Sequence, residues 1–144
     1  QKKFKALGCR NMRKEIVSDD LLMTISAIRG LLDDGAGIIA VTGGMSVDPD
    51  DLTPAAIKAA GGKIVSYGAP VLPGAMFMLA YIDGIPVLGL PGCVMYHRAS
   101  IFDLVVPKLL AGESVTRSDI VQMGHGGFCA SCKTCRFPNC SFGK

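Results

Sequence analysis

The sequence predicts an α/β domain built on a mostly parallel sheet covered on both faces. Three observations carry this. Short apolar runs rich in β-branched residues alternate with segments of helical period. Two of those runs, Gly37–Val41 and Ile85–Leu90, are almost wholly apolar, as strands buried on both faces are. Glycine-containing turns close most of the runs.

In chain order, Phe4-Lys5-Ala6-Leu7-Gly8 reads as the last turn of a helix, with Gly8 at the position that tolerates a left-handed backbone. No helix start or strand precedes it, and the chain opens on Gln1. The expectation is therefore an N-terminally truncated domain whose first strand is missing. Arg13–Val17 is a short strand candidate. Ser18, Asp19 and Asp20 offer caps for a helix in which Leu21, Leu22, Ile25, Ile28, Leu31 and Leu32 repeat at three- and four-residue intervals. Gly35 closes that helix, and the strand from Gly37 runs into Thr42-Gly43-Gly44. Thr53-Pro54 opens a second helix that ends near Gly61-Gly62. Ile64–Tyr67 is the next strand, Pro73-Gly74 a turn, Ala75–Tyr81 an apolar run, and Asp83-Gly84 a strong turn signal. The strand from Ile85 ends in Pro91-Gly92. Ser100–Leu110 is a helix, with Pro107 at a kink or near a boundary.

Composition narrows the function. At 144 residues the chain suits one domain with a real core, and 49% hydrophobic against 19% charged residues excludes a disordered chain. No apolar run reaches the length of a membrane span, and no signal peptide is visible. Net charge is +3 with scattered basic residues, which gives nucleic-acid binding little support. Two of the six cysteines, Cys9 and Cys93, are isolated. The other four crowd the C-terminus. With no export signal, that crowding points to metal ligation in the reducing cytoplasm.

Ligands of such sheets bind beyond the carboxyl ends of the strands. Thr42 to Thr53 forms one loop there. Gly43 and Gly44 let backbone N–H groups face an anion without a Cβ in the way, and Ser46 and Thr53 add hydroxyls. A plain strand-to-helix turn is the alternative. Asp48, Asp50 and Asp51 would repel a phosphate unless a divalent cation lay between, as Mg²⁺ does when held by one or two carboxylates and substrate phosphates. Asp51 alone reads equally as a helix cap. Leu90 to Tyr96 forms the second loop. Cys93 there reads as a buried or ligand-adjacent thiol before a nucleophile, and His97 lies four residues on. Pro73-Gly74-Ala75-Met76 is a third, weaker piece.

The segments VTGGMSVDPDDLTPAAI, YGAPVLPGAMFM and PVLGLPGCVMY resemble, in order, the signature segments of the molybdopterin-binding domain. That domain occurs in molybdopterin adenylyltransferases, molybdopterin molybdotransferases and competence-damage-like proteins. The resemblance runs from about Phe4 to Glu113. It implies a three-layer α/β/α sandwich that assembles into dimers or trimers and acts in molybdenum cofactor biosynthesis. Its transferase activity would be adenylyl transfer to molybdopterin, using ATP, or molybdate insertion. It places Thr42, Gly43, Gly44, Ser46 and Asp51 at the pterin phosphate and a Mg²⁺ ion, and Asp19 at a second acidic position. It places Pro73, Gly74, Pro91 and Gly92 along the same pocket. Asp51 and Asp19 are the expected catalytic residues; for Asp19 a helix cap is the plainer role. Two features depart from the family. The opening strand with its Thr-Gly-x-Glu turn has no counterpart, and Pro-Gly-Cys-Val stands where molybdotransferases typically carry Pro-Gly-Asn-Pro. The altered Cys93-Val94 and the cysteine tail favour the alternative of a non-catalytic carrier or sensor of molybdopterin or molybdenum cofactor with a redox or structural metal centre; a molybdoenzyme is a further expected partner.

Residues 1–123 are thus read as the binding domain and 124–144 as a cysteine-rich tail. Cys129-x2-Cys132-x2-Cys135-x4-Cys140 supplies four thiolates for one zinc ion or an iron–sulfur cluster. The spacing is near that of bacterial ferredoxins, but the last gap is four and Pro138 precedes the final cysteine. His125 is a further ligand candidate or an ordinary loop residue. Gly124-His125-Gly126-Gly127 reads as a flexible hinge.

Overall fold

The computed structural model describes residues 1–46, 48 and 50–144. Four strands, β1 (Ile39–Thr42), β2 (Lys63–Tyr67), β3 (Met78–Ile82) and β4 (Ile85–Leu90), form one sheet in the order β1-β4-β3-β2. Its helices are α1 (Lys2–Ala6), α2 (Leu21–Asp33), α3 (Thr53–Ala59), α4 (Cys93–Tyr96), α5 (Ile101–Leu110) and α6 (Arg117–Gln122).

The sheet is mixed, which corrects the expectation of a mostly parallel one. Only β1 and β4 pair in parallel; β3 is antiparallel to both β4 and β2. Asp83-Gly84 causes the reversal. Ile82 pairs with Ile85 across these two residues, and both adopt positive φ, +50° and +82°. Asp-Gly between two apolar runs is the characteristic two-residue hairpin. Strands β1, β2 and β4 still point the same way. Their carboxyl ends and the start of β3 share one edge.

Side chains alternate across the sheet. Ile39, Met78, Ala80, Ile82 and Val87 face Ile28 of α2 and Ile57 and Ala60 at α3. Leu79, Leu88 and Leu90 face Ile101, Phe102, Val105, Val106 and Leu109 of α5, with Ile120 of α6. This period of two yields the three expected layers.

Local signals explain most boundaries. Asp20 caps α2 by accepting from the Met23 amide at 2.7 Å. Pro54 occupies the first turn of α3. Ser100 and Asp103 form a reciprocal capping box on α5, and Lys3 adds an ion pair to Asp103 at 2.5 Å. Phe4 meets the Phe102 ring edge-on at 5.0 Å. α1 ends before Gly8, whose φ is +87°.

Pro107 lies in the last turn of α5, near its boundary, on an exposed position. Two expectations differ in detail. Arg13–Val17 is not a strand. It is exposed and irregular, with Arg13 paired to Glu15 and Asp34, because no described strand lies beside it to take its amides. The strand after Gly37 is only partly buried, because β1 is at the sheet edge.

Candidate functional site

Two expected loops meet because β1 and β4 are parallel neighbours. Thr42, the last residue of β1, pairs with Leu90, the last of β4. Gly43-Gly44 and Pro91-Gly92 therefore leave the same edge side by side. Thr42, Gly43, Ser46 and Gly92 are exposed there, Gly44 and Cys93 are half-buried, and Pro91 is buried.

The glycines divide by what surrounds them. A Cβ on Gly43 or Gly92 would meet nothing within 4 Å. Gly43 has φ +93°, so both freedom of backbone and open space are present. Gly44, at φ +54°, is held closer, since its Cβ would lie 3.0 Å from Thr53 Oγ1.

The polar side chains of the first loop brace the loop itself. Thr53 Oγ1 donates to the Gly43 carbonyl at 2.8 Å and is buried. Asp51 Oδ2 accepts from the Ser46 amide at 2.5 Å and from Ser46 Oγ at 2.7 Å. Ser46 Oγ also accepts from the Asp48 amide at 3.2 Å, and Asp48 Oδ1 from the Asp50 amide at 3.0 Å. Both of the hydroxyls that Ser46 and Thr53 add to this loop donate within it. Val47 and Pro49 of this segment lie outside the described residues. Met45, invisible to the functional reading, is buried and anchors the loop under the sheet. A Cβ on Gly89 would lie 2.7 Å from Met45 Sδ, so the glycine inside β4 makes room for it. A lone glycine within a strand was the available signal.

Pro73 and Gly74 reach the same edge but are buried. The Pro73 carbonyl accepts from the Ile101 amide at 3.1 Å. A Cβ on Gly74 would lie 2.8 Å from Ile101 Cβ and closer still to Cγ2. These contacts seat the loop on α5. Asp19 is exposed in the bend before α2, and its neighbour Asp20 provides the cap. His97 is exposed at the end of α4, its amide bonded to the Cys93 carbonyl at 3.2 Å.

The tail packs on the domain. Leu72 and Phe128 form a parallel bridge, Phe142 is buried, and Cys129, Phe137 and Cys140 join the core cluster of α5. The glycine hinge is instead a tight junction. A Cβ on Gly126 would lie 2.6 Å from the Ser141 carbonyl, and one on Gly127 2.8 Å from that of Met123. Cys132 is exposed, the other three tail cysteines are half-buried, and His125 is exposed. Among the described residues, no three His, Cys, Asp or Glu side chains converge as a metal-holding group, at the tail or beside Asp51.

Two shallow concavities lie elsewhere. One of about 420 Å³, with Gly37, Gly84 and Glu113 in its wall, is at the opposite edge of the sheet. Another of about 350 Å³ lies between Ala69–Leu72 and Gly124, Gly127 and Phe128. The site at the carboxyl edge is an open shelf of paired loops, distinct from both.

The family described as "Probable molybdopterin binding domain" matches residues 1–111. The chain belongs to this family. Among solved structures, this molybdopterin-binding domain is similar to the molybdopterin biosynthesis MoeA protein from Pyrococcus horikosii. The TM-score is 0.50 at 28% identity, over 64% of this chain and 22% of that one. The chain thus spans under a quarter of that protein's length. A comparison with curated proteins returns no match.

Proposed function

We propose that the domain binds molybdopterin at the shelf formed by Thr42–Ser46 and Pro91–Cys93, and serves molybdenum cofactor biosynthesis there. The observation that carries this is the Thr42–Leu90 pairing, which brings two open glycines, Gly43 and Gly92, to one edge. Backbone approach by a phosphate needs such openings. The bracing of Gly43 by Thr53 and of Ser46 by Asp51 holds the amides in place before a ligand arrives, which is how oriented dipoles act on developing charge.

Asp51 suits a Mg²⁺ ion in this reading, because an ion also held by substrate phosphates needs only one or two carboxylates from the protein. Bound there, Mg²⁺ would neutralise phosphate charge. In adenylyl transfer the pterin phosphate oxygen attacks the α-phosphorus of ATP and pyrophosphate leaves; the loop amides hold the pterin phosphate in line. In molybdate insertion the same shelf holds the adenylylated pterin. A non-catalytic carrier is the second reading. Cys93, half-buried against the α5 core, favours it, as does Asp19, which has no described partner at the shelf. A cytoplasmic homo-oligomer and a molybdoenzyme partner complete the proposal. The open side of edge strand β1 supports self-association.

Anaerobic titration calorimetry with molybdopterin tests binding, and assays with MgATP or molybdate then separate the readings. Binding with turnover supports the transferase, and Asp51→Asn should then lose Mg²⁺ dependence. Binding without turnover supports the carrier. Absence of molybdopterin binding overturns both.

A further inference from the structure

The tail is a loop closed at both ends around four thiols. At its start, the Leu72 amide donates to the Gly127 carbonyl at 2.7 Å and the Cys129 amide to the Leu72 carbonyl at 2.8 Å. At its end, Phe142 is buried and the Gly143 amide donates to the Gly126 carbonyl at 2.9 Å. Cys129 belongs to the first clasp, and Cys132, Cys135 and Cys140 lie between the two. Chain length alone confines their sulfurs to a small volume.

Between the clasps, residues 130–138 form no helix or strand. Among the described residues, none of their amides donates to another backbone group. Those amides are left to donate to thiolate sulfur. Ser131, at φ +50°, turns the chain between Cys129 and Cys132. Cys129 and Cys140, at opposite ends of the loop, both pack against the core cluster that contains α5. Charge completes the picture. Lys133 and Arg136 interleave with the cysteines, Lys144 follows, and no carboxylate side chain occurs after Asp119. Four thiolates around a metal leave surplus negative charge, which these cations offset. Thiolates select zinc or iron–sulfur clusters over hard cations such as Mg²⁺.

We propose that Cys129, Cys132, Cys135 and Cys140 close on one thiophilic metal centre, zinc or an iron–sulfur cluster, and that closure fixes the Leu72-Pro73-Gly74 segment at the shelf edge. Among the described residues the four thiols do not converge, so closure on a metal would rearrange the loop. Coupling follows from the bonds. The amide of one ligand, Cys129, is hydrogen-bonded to Leu72, and the next carbonyl, that of Pro73, holds the start of α5. The metal site stands without the pterin reading; only its influence on the shelf draws on it.

The full chain, reduced and anaerobic, is titrated with Zn²⁺ against a chromophoric chelator, with Co²⁺ as a spectroscopic probe, and with ferric iron plus sulfide and a thiol reductant in a separate arm. One zinc, or one brown cluster, per chain is expected, with Cys129, Cys132, Cys135 and Cys140 protected from alkylation and Cys9 and Cys93 still reactive. Cys132→Ser, at an exposed position, should fold normally and weaken zinc binding on the order of 100-fold, at the upper end of what loss of even an outer partner causes. Amide exchange at Leu72 should slow at least about tenfold on metal binding, as a local opening is suppressed. Sub-stoichiometric binding in every arm overturns the site, as does wild-type affinity in Cys132→Ser or protection of Cys9 or Cys93. Metal binding with unchanged exchange at Leu72 overturns the coupling. No pterin is present, so failure here leaves the proposed pterin function untouched.

Discussion

Gly43 and Gly74 sit in look-alike turns at one edge of the sheet, yet they do different work. Gly43 is exposed, with nothing within 4 Å of where a Cβ would stand. Gly74, at φ +124°, is buried against Ile101. One glycine leaves open space at the edge, and the other removes space so that a loop can seat on a helix. A glycine at a ligand edge therefore identifies a site only once its surroundings are known.

The sharpest way to break this comparison is Gly74→Ala. The added methyl collides with Ile101 and the backbone is left-handed, so a loss of about 2–4 kcal/mol is expected, read by denaturant unfolding. A near-neutral result would mean Gly74 is as open as Gly43. Thr53→Val comes next. It leaves the Gly43 carbonyl without its buried donor and should cost about 1–2 kcal/mol while weakening ligand binding through a looser loop. Unchanged stability and binding would show that Thr53 does not brace the shelf.

Gly92→Ala sharpens the contrast from the other side. Its φ of −54° suits alanine and its Cβ space is open, so stability should stay within about 0.5 kcal/mol. Molybdopterin affinity should fall if the phosphate approaches that backbone; full affinity would remove Gly92 from the site. The smallest effect concerns α6, which leads into the tail. Hydrogen bonds from the Thr116 side chain and backbone hold the Asp119 carboxyl below its ordinary value. A lowered folded value means that the cap's contribution is present above the unfolded pKa and is lost as pH falls through the folded one. Helix α6 should therefore fray in acid, below the usual carboxylate range, and amide exchange across Ile120–Gln122 measures it. Thr116→Val should move that fraying to higher pH.

Much of the architecture was legible locally. Ser-Asp-Asp before an apolar periodic stretch marked the start of α2, Thr53-Pro54 marked α3, and the apolar runs marked β1 and β4. The Asp83-Gly84 turn was visible too, but its consequence, an antiparallel β3, was hidden by the assumption that alternating elements make a parallel sheet. Arg13–Val17 misled because β-forming residues make a strand only where a neighbour accepts their amides. At the site, the paired loops were legible as motifs. The roles within them were not, because Asp51 and Ser46 bond each other while Thr53 bonds the Gly43 carbonyl, and sequence spacing does not reveal which donor finds which acceptor. Asp19 and Asp20 were indistinguishable as caps until the helix phase was fixed.

The sequence by itself determined the alternation of elements, the family resemblance, the glycines at the strand ends and the four-thiol spacing of the tail. These depend on short-range rules of period, turn chemistry and residue type. Tertiary structure alone decided that β1 and β4 are neighbours, that Gly74 and Gly126 are packing glycines, and that the tail is clasped to Leu72. Each of these depends on which surfaces meet across long stretches of chain. That choice is made by burial of the whole apolar set at once, and no local window contains it.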